Sequence, residues 1–178
     1  MDRCEQYKAH LTAHDAFVRG DMDALKAVLE HPSDFPNNRL PMELVIGDRV
    51  LGYAIYHSPL TFIRELLEMG ADPNYEDSAG FPSLIAAISS TRKDRAEIID
   101  LLLSFGSDLQ QRGVNYYTPL HDAVSRQDRQ MVVLLLSHGA DLEARTRIDA
   151  YATPLEEAEI LGLSDMVTLL QNYGSCEP

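Results

Sequence analysis

The sequence predicts an all-α solenoid of about five helix-turn-helix repeats, and three observations predict it. Leu51, Leu84, Leu120 and Leu155 recur at intervals of 33, 36 and 35 residues. Ala54, Ala87, Ala123 and Ala158 recur at the same three intervals. Gly70, Gly106, Gly139 and Gly174 close four leucine-rich blocks, spaced 36, 33 and 35 residues apart. Landmarks of different chemistry advancing together mark stacked supersecondary units, none of which buries its apolar face alone.

The fourth unit gives the clearest reading. Thr118 is a good N-cap, and Pro119 at the first helical position gives up only an N–H that has no partner there. The first helix runs to about Arg126 and carries the small Ala123 where a neighbouring unit must come close. A second helix, from about Arg129 to Ser137, sets Met131, Val132, Leu134, Leu135 and Leu136 at helical spacing. Gly139 then supplies a left-handed residue that ends it. A polar loop leads to the next start signal, Thr153-Pro154. The approximate repeat boundaries are 6–36, 45–74, 77–110, 113–143 and 148–174, within a single domain.

These residues resemble the ankyrin repeat, whose pattern reads Asp-x-x-Gly-x-Thr-Pro-Leu-His-x-Ala-Ala, a second helix ending in leucines, then Gly-Ala-Asp. Thr118-Pro119-Leu120-His121-Asp122-Ala123 and Gly139-Ala140-Asp141 match closely. Thr153-Pro154-Leu155 with Ala158, and Gly70-Ala71-Asp72 with Asp77 and Gly80, match nearly as well. The third repeat has Pro82-Ser83-Leu84-Ile85 in place of the signature and three added residues around Ser89 to Lys93. The second is the most degenerate, with Arg49-Val50-Leu51-Gly52. The segment 33–47 is long for an inter-repeat loop and is expected to form an enlarged finger or a short helical turn near Met42 to Val45. The polar faces of the first and last helices fit caps of a complete array.

The resemblance implies projecting finger loops, and first helices that line a concave wall beside them. Carried over position by position, the fingers include Val45, Ile46 and Asp48; Ser78, Ala79 and Phe81; Val114, Asn115 and Tyr117; Arg147, Ile148 and Ala152. The first-helix ends carry Tyr56 and His57, Ser89 and Ser90, Ser125 and Arg126, and Ile160 and Leu161. The candidate partner-binding residues are therefore Asp48, Tyr56, His57, Phe81, Asn115, Tyr117, Arg126 and Arg147. Phe81 and Tyr117 hold equivalent positions, and Tyr116 stands where the family has its turn glycine. Aromatic side chains dominate interface energetics when exposed; the alternative is that they stiffen neighbouring fingers.

Charge and composition narrow the partner. A net charge of −13 repels phosphate backbones and anionic lipid, and it favours another protein with a basic or neutral surface. Neither nucleic acid nor membrane is expected as a partner. Cys4 and Cys176 lie at opposite ends of the sequence, so free thiols and a reducing, cytoplasmic setting are expected. His10 and His14 share a helix face with Cys4 nearby, but a zinc site needs four ligands, so no metal or other cofactor is expected. His121 stands at the family's loop-bonding histidine. The basic stretch Arg92-Lys93-Asp94-Arg95 is either a solubilising turn or an anion contact. No catalytic grouping or phosphate-binding loop is recognisable, so an interaction module is expected and not an enzyme. The expected state is a monomer when unbound; a homo-oligomerising scaffold that uses its convex face or an end repeat is the alternative.

Overall fold

Ten α-helices in five consecutive pairs are found among residues 3–40, 49–147 and 151–175, the residues that the computed structural model describes. The chain forms two compact units, residues 1–107 and 108–178. In the first lie α1 (Arg3–Arg19) with α2 (Met22–Val28), α3 (Val50–His57) with α4 (Leu60–Glu68), and α5 (Ser83–Ser89) with α6 (Arg95–Ser104). In the second lie α7 (Pro119–Ser125) with α8 (Arg129–Ser137), and α9 (Pro154–Ile160) with α10 (Ser164–Gly174). Within each unit, the first helix of one pair packs on the first helix of the next: α1 on α3, α3 on α5, and α7 on α9. The all-α solenoid read from the spacing is the architecture found.

Where the signature residues are present, they cap the helices. Thr118 Oγ1 accepts from the His121 N–H, and Thr153 Oγ1 accepts from the Glu156 N–H, each completing a reciprocal capping box. Asp21 and Asp128 cap α2 and α8 one way only, accepting from the Ala24 and Met131 N–H groups. The degenerate second and third repeats have Arg49 and Pro82 at these positions, and neither α3 nor α5 has a side-chain cap.

Helix ends follow from backbone chemistry. Gly70, Gly106 and Gly139 adopt φ of +92, +86 and +86°. The next N–H reaches back to close each helix: Ala71 to Leu66, Ser107 to Leu102, and Ala140 to Leu135. Beyond each glycine an aspartate folds the loop. Asp72, Asp108 and Asp141 accept from the N–H two residues on, at 2.8 Å in every case. Gly174, the fourth glycine of the series, is instead the last residue of α10 and has no positive φ.

In the first unit the loops are stitched by asparagine amides. Asn37 Nδ2 donates to the Gly70 carbonyl at 2.9 Å, and its Oδ1 accepts from the Asp72 N–H at 2.7 Å. Asn74 Nδ2 donates to the Gly106 carbonyl at 2.9 Å. The core beneath them includes Phe17, whose ring lies 4.7 Å from Tyr53 and 6.1 Å from Phe62. The core of the second unit is aliphatic, with Leu120, Val124, Met131, Val132 and Leu135 buried.

Residues 41–48 lie outside the described residues, and with them the finger positions Val45, Ile46 and Asp48 and the helical turn expected near Met42. Ile148 and the side chains of both cysteines lie outside them as well.

Candidate functional site

In the first unit the C-terminal end of α3 meets α1 in a patch of aromatic and imidazole rings. Tyr53 is buried and its hydroxyl lies 2.7 Å from His14 Nδ1. His57 reaches solvent, its ring centroid 4.4 Å from Tyr53, 5.2 Å from His14 and 6.2 Å from Tyr56. Burial lowers the His57 pKa below the ordinary 6.5, and His14 and Arg92 lower it further. His10 stacks on His14 at 6.4 Å. Among the described residues no three histidine, cysteine or carboxylate groups are arranged to hold a metal ion.

The finger of this unit is built around Asp77. Its carboxylate accepts from the N–H groups of Ala79 and Phe81 at 3.0 and 2.9 Å, and Gly80 turns at φ +80°. Phe81 is half-buried, and its carbonyl accepts from the Tyr75 hydroxyl at 3.3 Å. The basic stretch that follows α5 is largely engaged in its own fold. Arg92 donates to the Asp94 carboxylate and to the Ser58 carbonyl, and Arg95 donates to the Ile88 carbonyl. Of this stretch Lys93 is the exposed cation, and Arg92 and Arg95 are half-buried.

The second unit carries the more elaborate fingers. Residues Val114–Tyr116 form a short 3-10 turn, with Asn115 and Tyr116 at φ of +56 and +58°. In the following finger Tyr151 adopts φ +52°. Tyr116 and Tyr151 are 41% and 58% exposed, whereas Tyr117 is half-buried, its hydroxyl donating to Glu157 and its ring 5.5 Å from His121. Arg112 Nη1 spans both fingers, donating to the carbonyls of Tyr116 (2.9 Å) and Arg145 (2.6 Å). Arg145 grips the Glu156 carboxylate with two N–H groups at 2.8 and 3.1 Å, which holds that carboxyl below its ordinary pKa. Guanidinium groups lie over rings twice: Arg145 over Tyr151 at 5.8 Å, and Arg147 over Tyr116 at 5.3 Å.

His121 anchors this assembly from below. It is fully buried, with Nε2 3.1 Å from the Ala152 carbonyl and Nδ1 2.8 Å from Thr118 Oγ1. Nδ1 also accepts from the Thr118 N–H at 3.4 Å, so the partners select the neutral Nε2–H form. Burial lowers its pKa below 6.5. Both nitrogens are engaged, which makes it a structural residue.

The predicted residues thus divide between the units. Tyr56, His57 and Phe81 belong to the first; Asn115, Tyr117, Arg126 and Arg147 belong to the second. Asn115 and Arg147 are exposed on the fingers. Arg126 is exposed at the end of α7 and bonded to Asp122 at 2.7 Å. Exposed apolar side chains continue on α9, with Ile160 at 60% and Leu161 at 47%. Tyr151, Arg112 and Arg145 were not singled out by sequence reasoning. The signal was present, because Gly80, Tyr116 and Tyr151 are separated by 36 and 35 residues, the repeat interval itself.

A family model of ankyrin repeats, in three copies, matches residues 84–177, just over half of the chain. Ankyrin repeat and SOCS box protein 6 of Homo sapiens is 37% identical over 113 residues, covering 62% of this chain and 26% of that protein. The putative E3 ubiquitin-protein ligase XBAT35 of Arabidopsis thaliana is 33% identical over 113 residues, 62% of this chain and 24% of that protein. The ankyrin repeat and KH domain-containing protein mask-1 of Caenorhabditis elegans is 33% identical over 160 residues, 89% of this chain and 6% of that protein. The chain spans about a quarter or less of the length of these relatives.

Proposed function

The chain belongs to the ankyrin-repeat family, and from that premise we propose that it is a protein–protein interaction module, an adaptor or regulatory subunit that holds a partner on its finger loops and the concave side of its first helices. The observation that carries this reading is the row of exposed apolar and aromatic side chains on ordered backbone: Tyr116 and Tyr151 on the fingers, Ile160 and Leu161 on α9. Large apolar side chains fixed in water are what an interface uses. The relative named as a ubiquitin ligase favours the adaptor role, in which the repeats choose the protein that another component acts on.

The net charge of −13 favours approach by a partner of basic or neutral surface. No described helix is long and apolar enough to cross a membrane. The chain acts as a monomer before it meets its partner, in the reducing cytoplasm that its two distant cysteines suit.

Photo-crosslinking tests the surface. A benzophenone side chain is placed in turn at positions 81, 116 and 161, and at Val133 on the outer side of α8 as the control. The reading expects one protein to be captured repeatedly from the first three positions and not from the fourth. Capture from position 133 alone would move the interface to the second helices and end the finger assignment.

A further inference from the structure

The left-handed region is a poor place for a tyrosine. A bulky side chain at positive φ is a genuine outlier, and glycine adopts it without steric cost. The first unit follows this rule with Gly80 at φ +80°, whereas the second places Tyr116 and Tyr151 at the equivalent turns, at φ +58 and +52°. Neither ring fills a core, since both are exposed. Each lies instead beneath a guanidinium, Arg147 over Tyr116 and Arg145 over Tyr151. Backbone strain that recurs at equivalent positions and stabilises no core belongs to a working surface.

The charges around these rings are of one kind. Every cation in residues 108–178 is an arginine, and the three lysines of the chain, Lys8, Lys26 and Lys93, all lie in the first unit. Guanidinium is the group that stacks on rings and grips carboxylates in a two-pronged fashion. Among the described residues Glu156 is committed to Arg145 and Glu157 to the Tyr117 hydroxyl. Glu143 acts on Arg145 as well. Arg112 and Arg147 are both exposed, and among the described residues neither is paired with a carboxylate.

We propose that Arg112, Tyr116, Arg147 and Tyr151 form a docking site for an extended, carboxylate-bearing segment of a partner protein, with the two rings as platforms and the two guanidiniums as carboxylate grips. This rests on the finger-loop reading of function and adds the chemistry of the occupant. Equivalent positions in stacked repeats lie about 10 Å apart, the spacing of packed helices, and about three residues of extended chain span that length. A long polyanion such as a nucleic acid is the less favoured occupant. Residues 108–178 carry eleven carboxylates against five guanidiniums, a field that rejects continuous negative charge but is screened beyond about 8 Å for a short local segment. The net charge of the chain governs approach of the whole partner; this contact is local.

Selection of a displayed library of random peptides on the full chain, at roughly physiological salt, tests the chemistry. The proposal expects enriched peptides that carry spaced Asp or Glu. Their affinity should fall about tenfold in Arg147→Gln and in the double variant Tyr116→Gly/Tyr151→Gly. The melting temperature of the glycine variant should stay level or rise, because glycine relieves the turns. Enriched peptides that are basic or uncharged, or acidic ones that bind Arg147→Gln as tightly as the parent, would overturn the acidic occupant and leave the finger reading standing. A single-stranded oligonucleotide that displaces the peptides would overturn the choice of a protein occupant. Peptides whose binding no finger substitution alters would end both readings. A glycine variant that melts lower yet binds unchanged would make the tyrosines structural staples and overturn the proposal.

Discussion

Replacing His121 by leucine keeps most of the buried volume and removes the hydrogen bonds that tie α7 to the finger above it. The bonds to the Ala152 carbonyl and to Thr118 Oγ1 are each worth about 1 kcal/mol net. The Thr118 N–H also loses its acceptor, and an orphaned buried N–H adds a penalty of about 1 kcal/mol or more. The Ala152 carbonyl keeps its bond from the Thr146 N–H, so it adds no further penalty. The expected loss is about 3 kcal/mol, or roughly 6–12 °C in Tm for a chain of this size. Thermal and urea melts by circular dichroism, repeated between pH 8 and 5, measure it.

The pH series carries the sharper test. The folded-state pKa of His121 is held below 6.5 by burial, so below that value the unfolded chain takes up the proton first. Stability due to the neutral imidazole is therefore complete above pH 6.5 and is lost as the pH falls towards the folded value. The gap between wild type and His121→Leu should shrink in that window, by at most about 1.4 kcal/mol per pH unit. Other histidines titrate in both proteins and cancel. A gap that stays constant, or widens as an imidazolium donating from both nitrogens requires, would refute the neutral Nε2–H assignment.

Four further outcomes are expected. Phe17→Ala, which empties a fully buried site between Tyr53 and Phe62, should cost about 3–5 kcal/mol in chemical denaturation. Gly139→Ala should lower stability by about 1 kcal/mol through its φ of +86° alone, because nothing lies within 4 Å of the new methyl group. Gly174→Ala, at an equally open position that ends α10 without a positive φ, should hold or raise stability in the same melts. Glu156→Gln keeps a capping side chain but loses the ion pair with Arg145. The depressed carboxyl of the parent contributes above pH 4.5 and fades as the pH falls through its folded value, so the acid limb of the variant's melting profile should be the flatter one.

Much of the fold was legible because each repeat states its boundaries in chemistry that the backbone must obey. Thr-Pro and Asp mark helix starts, and α8 runs over the predicted Arg129–Ser137. Gly174 shows where the reasoning is incomplete. Gly174 occupies the last helical position of α10 and lacks the positive φ that the other three glycines adopt beyond their helices. The extension of α1 to Arg3–Arg19, against seven or eight residues in the other first helices, is also invisible to a periodic pattern. The finger surface was half legible. Tyr117 could be placed by its equivalence to Phe81, but its burial depends on Glu157, forty residues away along the chain. Tyr151 drew no notice because its significance is conformational, and a backbone angle is not written in residue type. Arg92 read as free charge for the same reason, since its partner is a carbonyl 34 positions back.

The asparagine stitches of the first unit also decide where this chain tolerates growth. Asn37 and Asn74 each reach a fixed carbonyl one repeat along, so a residue added or removed between Gly70 and Asn74 shifts a donor away from its target. The turn between α5 and α6 carries no asparagine stitch. It already holds three extra residues, pinned at its base by Arg92, with Thr91 and Lys93 facing solvent. A tag, a sensor loop or a second binding segment grafted beside Arg92, with that arginine kept, leaves every asparagine stitch in place; the same graft at 71–74 unpicks two.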